Sequence, residues 1–370
     1  MSWTASVRAQ DVEPVGPERI VPVQFGFDIP DGWRRPGNDR VVLVRDEEGT
    51  PVVAKIHVEV GENLIVMLPD GRLVARRLGE TQGTTRPFAP ATKDQLAAKL
   101  VAEEFQGFRI KQTRNYLYVY NTTDSFVVAT SRILETMLPG VTAFSKSQRI
   151  DIHPPEVPMV VVLYKDRAEF ERYTGVRGGV VAFYNIKDNR VAIYETQALA
   201  KIAPTLAARE AISTIAHEGV HQILANIGVE KRLSRWPMWL SEGMAEFFSP
   251  IKVDNRLHWG GAGGVNTLRM LQLDSYLRSR RKVDGSTITK TVGAARLTST
   301  GYATAWSLTH FLARGQRNSF HAYVREVSQL EPLERSTPEL NLAIFQKHFG
   351  DDHEEMEVNI HRHLKTLAGE

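Results

Sequence analysis

Between residues 41 and 78 apolar and polar positions alternate in short runs, VVLV, TPVVAKIHVEV and NLIVMLPDGRLVARRL. A period of two turns one face of a strand inward and the other outward, and Pro69-Asp70-Gly71 supplies a tight turn between two such runs. The stretch predicts a small all-β module of barrel or meander type over 37–92, closed by a Thr-, Gly- and Pro-rich linker from Glu80 to Thr92. Ahead of it, residues 1–36 are rich in Pro and Gly without periodicity, which predicts an extended lead-in. A second region, 93–250, mixes periods. FRIKQTRNYLYVYNTT reads as two short strands, and DSFVVATSRILETMLPGV as a helix with an Asp cap and 3.6-residue spacing. PMVVVLYKDRAEFERYTG reads as a buried strand and a short helix ended by Gly175, and GGVVAFYNIKDNRVAIYET as a hairpin turning at Lys187-Asp188-Asn189. A long helix follows from about Pro204 to Ile227 with Gly228 as its stop, and a shorter one starts at Pro237 and ends near Pro250. From 251 to 370 the apolar spacing is mostly helical. Strands followed by a long helix, without regular βαβ alternation, predict an α+β fold with a helical C-terminal subdomain.

Composition narrows the chemistry. The chain has 370 residues, 42% hydrophobic and 8% aromatic, enough for a sizeable core. Basic and acidic residues nearly balance at a net +3 and are mixed along the chain, which gives no reason to expect nucleic acid or an anionic membrane as partner. The one dense basic run, Arg278, Arg280, Arg281 and Lys282, is expected to be a solvated helix end. There is no cysteine, so a metal site must be built from His, Asp or Glu. No apolar run reaches the roughly 18 residues of a membrane-spanning helix. The start, MSWTASVRAQDVEP, lacks the apolar stretch of a signal peptide, although Val7-Arg8-Ala9 has the form of a cleavage site. The expectation is a cytoplasmic protein, or a periplasmic or secreted one if this start belongs to a longer precursor.

The chemistry centres on HEGVH, residues 217–221. Four residues apart on a helix, His217 and His221 share a face and can aim imidazole nitrogens at one point, a spacing that suits zinc. Glu218 points to the side of that pair, where it can act as a general base without being a ligand. Two histidines do not complete a catalytic zinc site. Twenty residues on, WPMWLSEGMAEFFSP places Glu242 and Glu246 on one helix face, so that one carboxylate can complete the shell and the other support it from behind. Gly219, inside the helix, suggests close approach of another helix or backbone.

HEGVH followed by WLSEGMAEFF resembles the gluzincin metallopeptidases of the peptidase MA superfamily, and most closely the bacterial family known as DUF1570. The resemblance implies a zincin-like catalytic domain, with His217, His221 and Glu242 as ligands of one zinc, Glu218 as general base, and Glu246 as the acid that orients the first histidine. Gluzincins often add a Tyr or His donor to the developing oxyanion; Tyr302 is the candidate, with His310 second. The hairpin from Gly179 to Tyr194 stands where zincins keep the edge strand that pairs with an extended substrate, which makes Ala182, Phe183 and Tyr184 the candidate substrate strand. VVAFYN carries no acid where gluzincin aminopeptidases hold a free N-terminus, which favours endopeptidase action on a peptide or protein. The module at 37–92 resembles small SH3-like domains. Two other readings use the same residues: a zincin-fold scaffold without catalysis, and a hydrolase of a non-peptide amide.

Overall fold

A computed structural model describes residues 21–195, 204–253, 257–280 and 282–369. The cleavage-site-like Val7-Arg8-Ala9 and most of the lead-in lie outside them. Strands β1 (Arg34–Pro36), β2 (Val41–Arg45), β3 (Pro51–Val60), β4 (Asn63–Met67), β5 (Leu73–Arg77) and β6 (Gln82–Gly83) form one antiparallel sheet in the order β5-β4-β3-β2-β6, with β1 also on β3. Two of these strands lie where the sequence pattern suggests irregular chain. β1 falls in the lead-in and β6 in the linker, and neither has the length for a period of two to register.

Helix α1 (Lys93–Glu103) follows, capped by Thr92 with Gln95 returning the bond, a helix the apolar pattern does not announce. Then come β7 (Arg109–Gln112), β8 (Tyr116–Tyr120), α2 (Asp124–Ser147), β9 (Met159–Tyr164), α3 (Arg167–Thr174), β10 (Ala182–Asn185) and β11 (Arg190–Tyr194). These strands make a second sheet ordered β10-β11-β9-β8-β7. Strands β8, β9 and β11 run parallel, while β7 and β10 are antiparallel edges. Both faces are covered, which is why its central strands read as unbroken apolar runs. Tyr116, Tyr118, Val161 and Leu163 pack with α2 and the long helix that follows, and Leu117, Val119, Val160 and Val162 pack with α1 and Phe170 of α3.

That long helix is α4 (Pro204–Asn226), followed by α5 (Met238–Phe248), the short pair β12 (Ile251–Val253) and β13 (Leu257–Trp259), and the helices α6 (Thr267–Ser279), α7 (Ser286–Gly293), α8 (Ser299–Gly315), α9 (Arg317–Ser328), α10 (Pro338–Phe349) and α11 (His353–Ala368). The architecture is mixed α+β. α8 runs through the middle of the C-terminal part, with Ala303, Ala305, Trp306 and Leu308 fully buried. None of the helices among the described residues is long and apolar enough to cross a membrane.

The basic run departs from its expected solvation. Arg278 is exposed, but Arg280 is largely covered and bonds the buried Glu357, Thr287 and Asp284, which ties the end of α6 to α7 and α11. Arg281 lies outside the described residues. The β module docks through a small core of its own: Val58, Val60, Ile65 and Leu73 close over Leu233, in the loop between α4 and α5, and Leu333, in the loop between α9 and α10. Beside them the buried Arg232 donates to the carbonyls of Gly71, Ile186 and Lys187, so the module braces the turn of the β10–β11 hairpin.

Candidate metal centre

α4 and α5 meet at the site, and small residues set how closely. A Cβ on Gly219 would stand 2.4 Å from Leu134 Cδ2 of α2, so the glycine in HEGVH serves close helix packing, as its position in the helix suggests. Gly243, next to Glu242, is tighter: its Cβ would lie 2.7 Å from the carbonyl oxygen of Ala305 and 2.2 Å from Thr309 Oγ1. α5 therefore rests its backbone against that of α8. Trp239, Leu240, Met244 and Phe247 of α5 are all buried, Trp239 packing on Tyr323 of α9 and Phe345 of α10, and Phe247 on Phe144 of α2 and His310 of α8.

The structure brings His217, His221 and Glu242 together. One donor atom from each lies within 4.8 Å of the other two, and this is the group among the described residues able to hold a metal ion. Glu242 Oε2 is 3.0 Å from His217 Nε2 and 3.7 Å from His221 Nε2. Tetrahedral zinc with bonds near 2.0–2.1 Å needs ligand atoms about 3.3 Å apart, and these two separations straddle that value. Two imidazoles and a carboxylate are also a donor set zinc accepts, so the residues present fit the ion. Burial alone would lower both histidine pKa values. The hydrogen bond and charge of Glu242, with Glu218 behind it, override burial, raising His217 and pushing His221 up to about 9. Burial opposes the charge on Glu242, yet its two imidazole partners hold it well below the usual carboxylate range.

Glu246 stands one turn beyond Glu242, with Oε1 3.5 Å from His217 Nδ1, the nitrogen facing away from Glu242. It is 4% exposed and fixed from the far side by Arg269, at 2.7 and 3.0 Å, and by Asn266 at 2.7 Å. A carboxylate on the second nitrogen of a ligating imidazole fixes its tautomer and orientation. Arg269 also lies over the ring of Tyr302, 5.1 Å from its centroid. Burial raises the Tyr302 pKa, and the charges of Glu242 and Glu218 raise it further, so the phenol keeps its proton beside the metal group.

Glu218 lies off the ligand set, as its place in the motif suggests. Its Oε2 accepts the backbone N–H of Tyr184 at 2.8 Å, which sets the carboxylate against β10, the outer strand of the sheet. Ala182, Phe183 and Tyr184 thus flank α4 on an outer strand of the second sheet. His310 is placed elsewhere. It is fully buried, donates to the Gly263 carbonyl at 3.2 Å and faces His363 at 2.8 Å, between α8 and α11.

Three contributors have no signal in the motif. Arg269 and Asn266 come from the start of α6, where Asn266 is the cap, a pattern that marks a helix start and no more. Glu230 follows the stop at Gly228; Ser241, the neighbour of Glu242, donates to both its oxygens at 3.2 Å. Burial pushes Glu230 up to about 7, against the pull of His221 and Ser241. An acid just past a helix end looks like any surface loop residue until the fold brings it beside His221.

A family model described as "Protein of unknown function (DUF1570)" matches residues 211–334, bearing out the resemblance drawn from HEGVH and WLSEGMAEFF. The match takes in both halves of the metal group and the helices behind it, and leaves out the second sheet. Comparison with curated proteins finds no match. Among solved structures, a mutant of a two-domain M1 zinc metallopeptidase bound to L-arginine is similar over 68% of this chain and 51% of its own, at 15% identity and a TM-score of 0.32. A mutant of a functionally unknown conserved protein from Bacillus anthracis str. Ames is similar over 96% and 74%, at 12% identity and a TM-score of 0.27. The chain spans about half the length of that metallopeptidase. Likeness at this level says nothing about chemistry.

Proposed function

We propose that this chain is a zinc-dependent peptidase of zincin-like architecture that cleaves within extended peptides. One observation carries the reading: His217, His221 and Glu242 converge from two helices, while Glu218 stands beside them without joining them and touches the edge strand. A site that served only structure would have no use for a carboxylate in that position. Bound by the three ligands, zinc would supply a Lewis acid that polarises the scissile carbonyl and acidifies water at the site.

The remaining roles belong to the chain. β10 pairs with the substrate backbone through its outer edge and lays the peptide across α4 beside His217 and His221. Glu218, one oxygen held by Tyr184 N–H, uses the other to take a proton as water oxygen adds to the carbonyl carbon. It returns that proton to the nitrogen as the C–N bond breaks, giving a carboxylic acid and an amine. Tyr302, kept protonated by burial and by the carboxylates of Glu242 and Glu218, donates a hydrogen bond to the developing oxyanion. Glu246 holds His217 in place throughout.

The test is metal content and cleavage of a mixed peptide library by the wild type and Glu218→Gln, with His221→Ala as the metal-free control. One zinc per chain in wild type and Glu218→Gln, none in His221→Ala, and cleavage by wild type alone are expected. A wild type that binds zinc tightly and is as inert as Glu218→Gln rules out the peptidase reading in favour of a zinc-bearing scaffold. Turnover of simple amides without peptides would move the reading to a non-peptide amidase.

A further inference from the structure

The hairpin carrying the edge strand is tied to the metal helix at two places. The first is the bond from Tyr184 N–H to Glu218. The second lies two turns on along α4, where Asn226 and Asn189 exchange amide hydrogen bonds of 2.7 and 2.9 Å. The side chain of Tyr184 joins the two, because its hydroxyl donates to the same Asn189 Oδ1 at 2.8 Å. That oxygen thereby accepts two donors and has no further capacity. Between the ties, Gln222, next to the ligand His221, donates to the main-chain carbonyls of Asn189 at 2.9 Å and Val160 at 3.0 Å. Asn189, Gln222 and Asn226 are all buried, and Asn189 turns the hairpin at φ +57°, a conformation Asn tolerates better than most residues.

We propose that Tyr184, Asn189 and Asn226 are positioning residues that hold the outer edge of β10 in register with the base Glu218; this rests on the peptidase reading above. Apolar side chains would bury this corner without needing partners, whereas the mutually satisfied amides of Asn189 and Asn226 with the Tyr184 hydroxyl fix one arrangement, Gln222 Oε1 being the buried atom of the group without a partner among the described residues. One tie would let the hairpin pivot on Glu218. Two ties, about 12 Å apart along the helix, fix the angle between strand and helix. The main chain of Tyr184 holds the carboxylate that works on the substrate, and its side chain is latched through Asn189 to Asn226 on the helix bearing that carboxylate. Distance and orientation between base and peptide are then set by one residue. Displacement of about 1 Å at a reacting centre can cost on the order of a hundredfold in rate.

The test uses the full chain carrying Tyr184→Phe, which removes the hydroxyl and keeps both the ring and the main-chain N–H. Three quantities are read: zinc affinity by chelator competition, amide hydrogen exchange at Tyr184, and kcat and KM on a peptide cleaved by wild type. Unchanged zinc affinity, faster exchange at Tyr184, and a kcat lowered about tenfold at nearly constant KM are expected. A merely structural hydroxyl would lower thermal stability and leave that split unmoved. Exchange and kcat both at wild-type values overturn the proposal, and so does a rise in KM alone, which would make the strand a binding surface only. Should wild type cleave no peptide, exchange still decides the latch. Faster exchange in the variant would then support the tie while sinking the peptidase reading, and unchanged exchange would sink the tie itself. Asn226→Ala, read by the same exchange measurement, tests the latch from the helix side.

Discussion

Gly243 offers the most direct test of how the metal site is built. Replacing it with Ala adds one methyl group where α5 meets α8. The added carbon would sit 2.7 Å from the Ala305 carbonyl oxygen, 3.2 Å from its carbon and 2.2 Å from Thr309 Oγ1. Thr309 and Ala305 are fully buried, so neither can swing into solvent. Relief to ordinary contact distance requires the two helix backbones to part by about 0.7 Å at the Ala305 carbonyl and the Thr309 hydroxyl to give by about 1.2 Å. Overpacking of this kind costs about 1–3 kcal/mol, while Ala in place of a mid-helix Gly returns about 1 kcal/mol. The balance is a loss of about 0–2 kcal/mol, towards its upper end because both contacts are far inside van der Waals distance, where helix propensity alone predicts a gain. Because Glu242 is the adjacent residue, the same displacement moves its carboxylate relative to His217 and weakens zinc binding. Urea unfolding followed by tryptophan fluorescence gives the first quantity, and chelator competition gives the second. Gly219→Ala is the companion, since its added carbon meets a side-chain end, Leu134 Cδ2, and not a backbone. Gly243→Ala with equal or greater stability and undiminished zinc affinity would refute the account.

Two further outcomes follow from the polar groups around the site. Arg269→Ala strips the buried Glu246 of its cation and uncovers Tyr302, and a loss of about 3 kcal/mol is expected because the carboxylate is left buried and poorly paired. Glu246→Gln should cost less, and chemical denaturation that ranks the two the other way would contradict this. Burial, with the charges of His363 and Arg314, pushes His310 down to about 4. The folded state keeps this imidazole neutral while the unfolded chain protonates it below about 6.5, so its contribution is whole above that pH and fades as pH falls towards 4. The effect is about 3 kcal/mol, read as the difference in unfolding free energy between pH 7.5 and 4. His310→Gln should flatten that dependence, and an unchanged slope would place the acid sensitivity elsewhere.

What the sequence makes legible follows from how local each signal is. His217, Glu218, His221 and Glu242 are readable because helix geometry turns their spacing into a shared face, and the fold then brings the two imidazoles and the Glu242 carboxylate to one point. Gly219 reads as a packing residue for the same reason. β10 is legible as a strand, and the topology adds that it is an edge. Short or long-range features fail. α1 has a sound capping box, yet its weakly amphipathic residues follow a Pro-rich stretch that masks the start. β6 is two residues long and exists only through its pairing with β2. Arg269 reaches Glu246 across 23 positions and Asn189 reaches Asn226 across 37, separations at which no periodicity operates. Arg280 looks solvated by charge count and is covered because Glu357, near the end of the chain, comes back to meet it.

Four carboxylates surround two imidazoles here, and their partners decide what each can do. Glu242 faces Nε2 of both histidines and little else, so its charge is directed at the point where a cation would sit. Glu246 has its charge matched by Arg269, accepts a hydrogen bond from Asn266 and touches the outer nitrogen of His217, which suits it to orient that imidazole. Glu230 has only the Ser241 hydroxyl among the described residues and is pushed up to about 7 by burial, so it lends a variable charge behind His221. Glu218 alone is held by a main-chain N–H of the edge strand, a neutral donor that fixes its direction without matching its charge. Under the proposed peptidase reading, a base that must gain and lose a proton while staying in place is suited by that kind of partner, and an arginine there would hold the carboxylate as firmly while opposing its protonation.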